Sequence, residues 1–225
     1  PGEPLTQNRP FYMTITWYGQ SCFKIDTREA VLAIDPFSKE IGLTPPRFHA
    51  DVVLVTHSHP DHANADAIPG SPRVITDAGE YEVKGTRIQG IPTFHDTVEG
   101  AKRGPNIAFR IVAEGITLVH LGDFGEAALR EETLEALGDV DVLLIPVGGT
   151  YTIDAETAVE VIAQIEPRVV IPMHYHVPDL RVKLEPVDEF LKAASARNAE
   201  RLPKLTLKKK DLPETETRIL VLEKN

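Results

Sequence analysis

The chain has 225 residues, of which 42% are hydrophobic, and its formal net charge is -10. This acidic balance argues against a general nucleic-acid binder and against a protein of anionic membrane surfaces, although a local metal site can still attract an anionic substrate. The apolar residues are spread evenly without a Ser/Gly-rich linker, and no apolar run approaches the roughly 18 residues of a membrane span. We therefore predict one compact domain over residues 13–225, preceded by a flexible, proline-rich tail over residues 1–12.

A single cysteine, Cys22, excludes an internal disulfide framework. Such sparse cysteine usage fits a reducing compartment, so we predict a cytoplasmic protein in which Cys22 is a small core residue of a strand. The sequence leaves the oligomeric state open, homo-oligomers included.

Short β-branched runs separated by Gly, Pro or Asp dominate the first half of the chain and predict strands. These runs are Met13–Trp17, Val31–Ile34, Val52–Thr56, Arg73–Thr76, Thr86–Ile91, Ile107–Val112 and Ile116–Leu121. They amount to half of a β-sandwich before any long helix.

Helices alternate with strands in the second half of the chain. We predict helices over Ala127–Leu137, over Ala155–Ile165 with Asp154 as its N-cap, and over Val187–Ala196. The strands predicted between and after them are Val142–Val147, Arg168–Pro172 and Arg218–Leu222. Two sheets sandwiched between helices, an α/β architecture, would bury this pattern.

The most informative motif is the run His57-Ser58-His59-Pro60-Asp61-His62, which directly follows a predicted strand. Its imidazoles and its carboxylate suit Zn²⁺, Mn²⁺ or Fe²⁺. Four donors so close cannot all bind one tetrahedral ion that also takes ligands from elsewhere. The spacing therefore predicts two adjacent ions, with His57 and His59 facing one and Asp61 and His62 the other. A polar turn with solvated histidines is the alternative.

Three further candidate ligands follow apolar strands: His95, Asp123 and His174. Taken singly, they have ordinary explanations as a turn residue, a loop cap and a partly buried hydrogen-bonding histidine. Together with the histidine-rich loop they supply the remaining donors, because a dinuclear hydrolytic site needs more nitrogen ligands and a carboxylate between its ions.

The order of these motifs resembles that of the metallo-β-lactamase fold superfamily, over roughly residues 13–175. Other segments are similar to a bacterial and archaeal branch of metal-dependent hydrolases related to ascorbate-6-phosphate lactonase. These segments are Ile15–Phe23, Ile34–Phe37, Gly79–Val83 and Pro146–Asp154. The resemblance implies a four-layer αββα sandwich with the metals at the edge between its two halves.

The resemblance also implies a role for each candidate residue. His57, His59 and His95 would bind one metal ion. Asp61, His62 and His174 would bind the other, and Asp123 would bridge the two. Asp35 would orient a ligand histidine through its ring N–H. Zn²⁺ is the metal predicted from the number of imidazoles, with Mn²⁺ as the alternative.

Two positions depart from the family pattern. Relatives of this branch often carry His where this chain has Gln20, which we leave out of the ligand set. His95 lies in Phe94-His95-Asp96 and not in the Gly-His-Ser/Thr setting common in lactamases and glyoxalases, which argues against β-lactam and thioester specialists. Of the other histidines, His120 is either a packed core residue or a participant, and His49 is expected at the surface.

We predict a dinuclear metal-dependent hydrolase that uses a metal-bridging hydroxide on a small ester, lactone or phosphodiester. Asp61 would orient the attack, and Tyr151 or His176 would protonate the leaving group. The expected partner is a small-molecule substrate, anionic substrates included, and neither a membrane nor a nucleic acid.

Three alternatives stay open. A nuclease-like phosphodiesterase would depend on the basic cluster Lys204–Lys210, which has no interleaved aromatic residues for base stacking. A di-iron redox protein of the same fold would prefer a carboxylate at His59. A non-catalytic binding module would be expected to have lost ligands, whereas every motif position here carries a donor.

Overall fold

The computed structural model describes residues 12–225, and within that range the chain forms two mixed β-sheets and three α-helices. The predicted tail, residues 1–12, lies outside the described residues except for Tyr12. The strands, in chain order, are β1 (Met13–Gly19), β2 (Cys22–Asp26), β3 (Val31–Ile34), β4 (Val52–Leu54), β5 (Arg73–Ile75), β6 (Gly79–Val83), β7 (Thr86–Phe94), β8 (Pro105–Ala113), β9 (Ile116–His120), β10 (Val142–Pro146), β11 (Val169–Met173), β12 (Glu200–Leu202), β13 (Leu205–Leu207) and β14 (Arg218–Leu222). The helices are α1 (Glu131–Leu137), α2 (Ala155–Ile165) and α3 (Val187–Ala193).

The two sheets pack face to face and share one core. The first sheet has the strand order β13-β1-β2-β3-β4-β5, and the second has the order β12-β14-β11-β10-β9-β8-β7-β6. Phe23 and Ile34 of the first sheet belong to the same buried apolar cluster as Phe109 and Leu144 of the second. This arrangement confirms the predicted αββα sandwich.

Parallel strands bring the predicted site residues to one edge of the sandwich. β9, β10 and β11 are parallel neighbours in the second sheet, and Asp123 and His174 follow the carboxyl ends of β9 and β11. In the first sheet β3 and β4 are parallel, and Asp35 and the loop that begins at Val55 follow their carboxyl ends. Loops at the carboxyl ends of parallel strands therefore meet where the two sheets face each other, the usual place for ligands in such sheets.

Helix α1 begins four residues later than the predicted start at Ala127. Arg130 is extended, with φ -71° and ψ 150°. The Glu126 carboxylate accepts a hydrogen bond from the backbone N–H of Phe94 (3.0 Å) and pairs with Arg130, and the Leu129 N–H donates to the side chain of Gln164 (3.0 Å). The bonds to Phe94 and Gln164 connect distant parts of the chain, and they hold residues 127–130 out of the helix that their sequence favours.

The other two helices agree better with prediction. The Asp154 side chain caps α2 by accepting from the Thr157 N–H (2.9 Å), as predicted. Helix α3 ends at Ala193 instead of Ala196, because Ser195 adopts a left-handed conformation (φ 54°) and the Ala196 N–H bonds back to the carbonyl of Leu191 (2.8 Å).

The short edge strands β6, β12 and β13 were not predicted. Each has three to five residues and at least one exposed position, so each carries little apolar periodicity. Strand β13 comes from the basic cluster and pairs with β1, and Lys209 of that cluster binds both carboxylate oxygens of Asp141 (2.7 Å each). Within residues 12–225 no helix is both long and apolar enough to cross a membrane.

Candidate metal centre

All seven predicted ligands converge in space, although they come from both sheets. Their donor atoms form two groups, each with all its donor atoms within 4.8 Å of one another. We call these groups the imidazole group, which is His57, His59 and His95, and the mixed group, which is Asp61, His62, Asp123 and His174.

Asp123 lies between the two groups. Its Oδ2 atom is 3.2 Å from Nε2 of His95 and 3.9 Å from Nε2 of His57, in the imidazole group. The same oxygen is 3.3 Å from Nε2 of His62 and 3.2 Å from Nε2 of His174. One carboxylate oxygen therefore faces four imidazole nitrogens, which is the position that a bridging ligand needs.

Hydrogen bonds around the site set the direction of its histidine rings. Asp35 is fully buried, and its Oδ2 lies 2.8 Å from Nδ1 of His62. The Thr56 hydroxyl donates to the same Oδ2 (2.7 Å) and lies 3.0 Å from Nδ1 of His57. Because Thr56 contacts Nδ1 of His57 and Asp35 contacts Nδ1 of His62, the Nε2 atoms of both rings point toward Asp123. Asp35 thus lies against the outer ring nitrogen of His62, where a carboxylate would orient the ring of a ligand histidine.

The donor set fits divalent metal ions. Four buried imidazole nitrogens have no hydrogen-bond partner among the described residues: Nε2 of His57, Nε2 of His62, Nδ1 of His95 and Nδ1 of His174. Leaving such atoms unpaired is costly, on the order of 1–3 kcal/mol each. Cations between the rings would satisfy the Nε2 atoms of His57 and His62, which already face Asp123.

The electrostatics of the cluster follow from its burial and its mixed charges. Burial, followed by the neighbouring His62, lowers the pKa of His57 to about 3. Burial opposes charge on His62 as well, yet the carboxylates of Asp123, Asp35 and Asp61 raise the pKa of His62 well above its usual range. Burial also opposes charge on Asp123, but His174 and His62 hold its pKa well below the usual range. The Asp123 carboxylate therefore stays ionised in a buried site, where it favours added positive charge.

Three residues of the site have left-handed backbone conformations that are uncommon outside glycine: Gln20 (φ 51°), Asp35 (φ 47°) and His174 (φ 52°). Such conformations concentrate at functional sites, where the surrounding structure holds them in place. Here the His174 N–H donates to the Gln20 carbonyl (3.1 Å), which links the two sheets beside the donors.

Besides Thr56, three supporting residues were not predicted. Gln20 is fully buried, and its Nε2 donates to Oδ2 of Asp61 (2.9 Å). The Ser21 hydroxyl donates to Oδ1 of Asp123 (3.4 Å), and the Asn106 side chain accepts from the Asp123 N–H (3.0 Å). Gln20 and Ser21 lie in the segment that resembles the family, which was the available signal, but no spacing rule identifies Asn106.

A cavity of about 860 Å³ opens onto the donors. Among the residues that line it are His59, Asp61, His95, Asp123 and His174. Tyr151, proposed as a proton donor, also lines this cavity and is 41% exposed. His176, the other candidate donor, is exposed and is not among the lining residues. Of the two, the structure brings only Tyr151 to the cavity.

The remaining histidines and the cysteine lie outside the donor groups. His120 is fully buried, with Nε2 2.9 Å from the Ser21 carbonyl and Nδ1 accepting from the Gly122 N–H (3.0 Å), so it is a packed core histidine. His49 is exposed, as expected. Cys22 is a buried residue of β2.

Comparisons with known proteins agree with this geometry. The family model described as "Beta-lactamase superfamily domain" matches residues 14–174. A metal-dependent hydrolase from Thermoplasma volcanium is 30% identical over 203 residues, which cover 77% of this chain and 87% of the relative. Another, from Thermococcus kodakarensis, is 30% identical over 193 residues, covering 72% and 84%. The crystal structure of a proposed zinc-dependent hydrolase of the metallo-β-lactamase superfamily from Thermotoga maritima is 39% identical and covers 94% of this chain and 98% of its own, with a TM-score of 0.78.

Proposed function

Since this chain belongs to the beta-lactamase superfamily and is a metal-dependent hydrolase, we propose a specific reaction for it. We propose that it hydrolyses a small ester, lactone or phosphodiester with two adjacent divalent ions. The observation that carries the proposal is the single oxygen of Asp123 that faces imidazoles of both donor groups.

Each donor group would hold one ion. The imidazole group would hold the first, the mixed group would hold the second, and Asp123 would contribute to both. The excess of imidazole over carboxylate donors favours Zn²⁺, with Mn²⁺ as the alternative. When bound, the ion pair supplies Lewis-acid polarisation of a carbonyl or phosphoryl oxygen and a water that ionises near neutral pH.

Asp61 would orient the attacking water. Its side chain is 21% exposed and lines the cavity, so one face is open to substrate. The Gln20 amide donates to its Oδ2, which fixes the carboxylate in one orientation. A carboxylate held in this way can accept a proton of the water and direct the oxygen lone pair toward the substrate.

Tyr151 would donate a proton to the leaving group. It lies in the loop that follows β10, where its N–H bonds to the Gly149 carbonyl (2.6 Å), and the Arg103 guanidinium lies 5.8 Å from the centre of its ring. The hydroxyl of a half-exposed tyrosine in the cavity wall can reach a bound molecule without a change in the backbone.

Hydrolysis would occur in the cytoplasm on a small molecule. The one cysteine of the chain is buried and unpaired, which suits a reducing compartment. A cavity of about 860 Å³ has the size of a small-molecule site.

The test is hydrolysis by protein loaded with zinc or manganese, measured on p-nitrophenyl esters, lactones and bis(p-nitrophenyl) phosphate. We expect hydrolysis of at least one class, and a loss of about 100-fold or more in kcat for Asp61→Ala. Asp66→Ala, which changes an exposed aspartate away from the cavity, is the matched control. Undiminished hydrolysis by Asp61→Ala would rule out the role of Asp61, and inactivity of the fully metal-loaded wild type on all three classes would count against the hydrolytic proposal.

A further inference from the structure

We propose that the substrate carries an oxyanionic group, a carboxylate or a phosphate, outside the bond that is hydrolysed, and that cations from two loops bind this group. The cations are Lys102 and Arg103 in one loop and Arg181 and Lys183 in the other. The inference rests on the proposed hydrolytic function.

The four cations line the same cavity as the donor residues. Apart from the donors Asp61 and Asp123, the only acidic residue lining this cavity is Glu40, within the part of the chain that the structure describes. The chain as a whole has a formal charge of -10, whereas cationic side chains outnumber acidic ones among the residues that line this cavity. A cavity of this kind concentrates anionic ligands.

The first loop directly follows His95 and is held rigidly. The buried Asp96 carboxylate accepts hydrogen bonds from the backbone N–H groups of Val98 (2.9 Å), Gly100 (2.9 Å), Lys102 (2.9 Å) and Arg103 (2.7 Å). One carboxylate thus organises the backbone that presents Lys102 and Arg103, so little conformational entropy is lost when the loop binds a ligand.

Arg103 is positioned further by its side chain. One guanidinium nitrogen donates to the Thr150 carbonyl (3.0 Å), and the group lies 5.8 Å from the ring centre of Tyr151. A guanidinium has five N–H donors in a planar fork, so most of them are free for an oxyanion. The proposed anion site therefore adjoins the proposed proton donor.

The second loop follows His174 and packs against the turn at residues 39–42. The Arg181 N–H donates to the Ile41 carbonyl (2.8 Å), and a Cβ at Gly42 would collide with the backbone oxygen of Asp179. Leu180 is buried (7% exposed) and anchors the loop, while Arg181 is exposed at the cavity. Each of two donor histidines is thus followed by a fixed loop that brings two cations to the substrate.

None of these four cations forms an ion pair among residues 12–225, whereas Arg130 and Arg201 are paired with carboxylates elsewhere on the surface. The metal ions would meet the charge at the reacting bond, so four more cations exceed what that bond requires. This excess indicates a second anionic group on the substrate, away from the reaction.

The experiment compares metal-loaded wild type with an Arg103→Gln/Lys183→Gln double variant on three p-nitrophenyl esters that share one ester bond. The esters end in a methyl, a carboxylate or a phosphonate group, and bis(p-nitrophenyl) phosphate serves as a substrate whose charge lies on the reacting group. For the wild type, we expect kcat/KM to be about tenfold higher for one charged-tail ester than for the neutral ester. In the double variant, we expect this ratio of kcat/KM values to be about three- to tenfold lower than in the wild type. The preference should also shrink as salt is raised.

Lys192→Gln/Arg197→Gln is the matched control, because both residues are exposed and lie outside this cavity. It should keep the wild-type ratio. Equal kcat/KM for neutral and charged esters, or the same ratio in both double variants, would overturn the anion site while leaving the hydrolytic function in place. A preference for bis(p-nitrophenyl) phosphate alone would also overturn it, since the charge would then belong to the reacting group.

A binding measurement keeps the test independent of turnover. Glutarate and propylphosphonate are titrated calorimetrically into the metal-loaded wild type and the Arg103→Gln/Lys183→Gln variant. We expect about three- to tenfold weaker binding of one of them by the variant, and identical affinities would overturn the proposal. If no ester is hydrolysed but this difference is found, the hydrolytic function fails and the anion site stands.

Discussion

The two donor groups of the site differ in how firmly the surrounding protein holds them. In the mixed group, Asp35 holds His62, Gln20 holds Asp61, and Ser21 holds Asp123. Among residues 12–225, only the ring of His57 in the imidazole group has such a partner, the Thr56 hydroxyl, and His174 is the one member of the mixed group that lacks one.

Burial does not separate the groups, because His57 and His95 of the imidazole group are only 4% and 2% exposed, while Asp61 of the mixed group is 21% exposed. The side-chain hydrogen bonds do separate them, since His59 of the imidazole group is half-buried and has no side-chain hydrogen bond among the described residues. A ligand that is already in place loses less entropy on binding metal. We therefore expect the mixed group to bind its ion more tightly than the imidazole group does.

The largest effect should come from removing the ligand that the groups share. In Asp123→Ala both groups lose an oxygen, so we expect metal content to fall from about two ions per chain and hydrolysis to fall at least about 100-fold. Elemental mass spectrometry on the wild type and the variant, purified side by side, measures the metal content per chain. Asp139→Ala, an exposed aspartate, is the control. Two ions retained in Asp123→Ala would contradict its bridging position.

A smaller and selective effect is expected from Asp35→Asn. Asparagine keeps an acceptor for the Thr56 N–H but cannot support His62 as a carboxylate does, so the mixed group should weaken more than the imidazole group, which Asp35 reaches only through the Thr56 hydroxyl. Competition with a chelator should show one ion bound about 10–100-fold more weakly and the other weakened less. Equal weakening of both ions, or of neither, would mean that the two groups do not differ in support as we infer.

The smallest effect concerns the loop that follows His95 in the imidazole group. Although burial acts in the opposite direction, the four backbone N–H groups lower the pKa of Asp96 to about 2. A carboxyl whose pKa is lower in the folded state contributes stability above its ordinary pKa near 4, and that contribution is lost as the pH falls toward 2. Asp96→Asn should therefore lower Tm by about 3 °C at pH 7, with the difference from wild type shrinking between pH 4 and pH 2.

Thermal unfolding followed by circular dichroism across this pH range measures the effect. Asp77→Asn, which changes an exposed loop aspartate, is the control. A difference in Tm that is the same at pH 2 and pH 7 would show that the Asp96 charge does not stabilise the loop.

The local sequence was sufficient to identify the seven candidate metal ligands. Four of the seven lie within six positions directly after a buried strand, and the other three each follow an apolar strand, so strand periodicity alone placed them at strand ends. The αββα layers were also predictable, because β-branched runs and the Asp154 cap are signals carried by neighbouring residues.

The tertiary structure decided how these donors are supported and what faces them. Gln20 meets Asp61 across 41 positions of sequence, and Arg103 meets Thr150 across 47, and no periodicity relates residues so far apart. The start of α1 shows the same limit, since hydrogen bonds to Phe94 and Gln164 override the helical preference of residues 127–130. Residue type and spacing reveal which side chains can bind a metal, because that chemistry belongs to each residue. Which loops meet at the site depends on how the sheets pack, and packing energy is shared among distant residues.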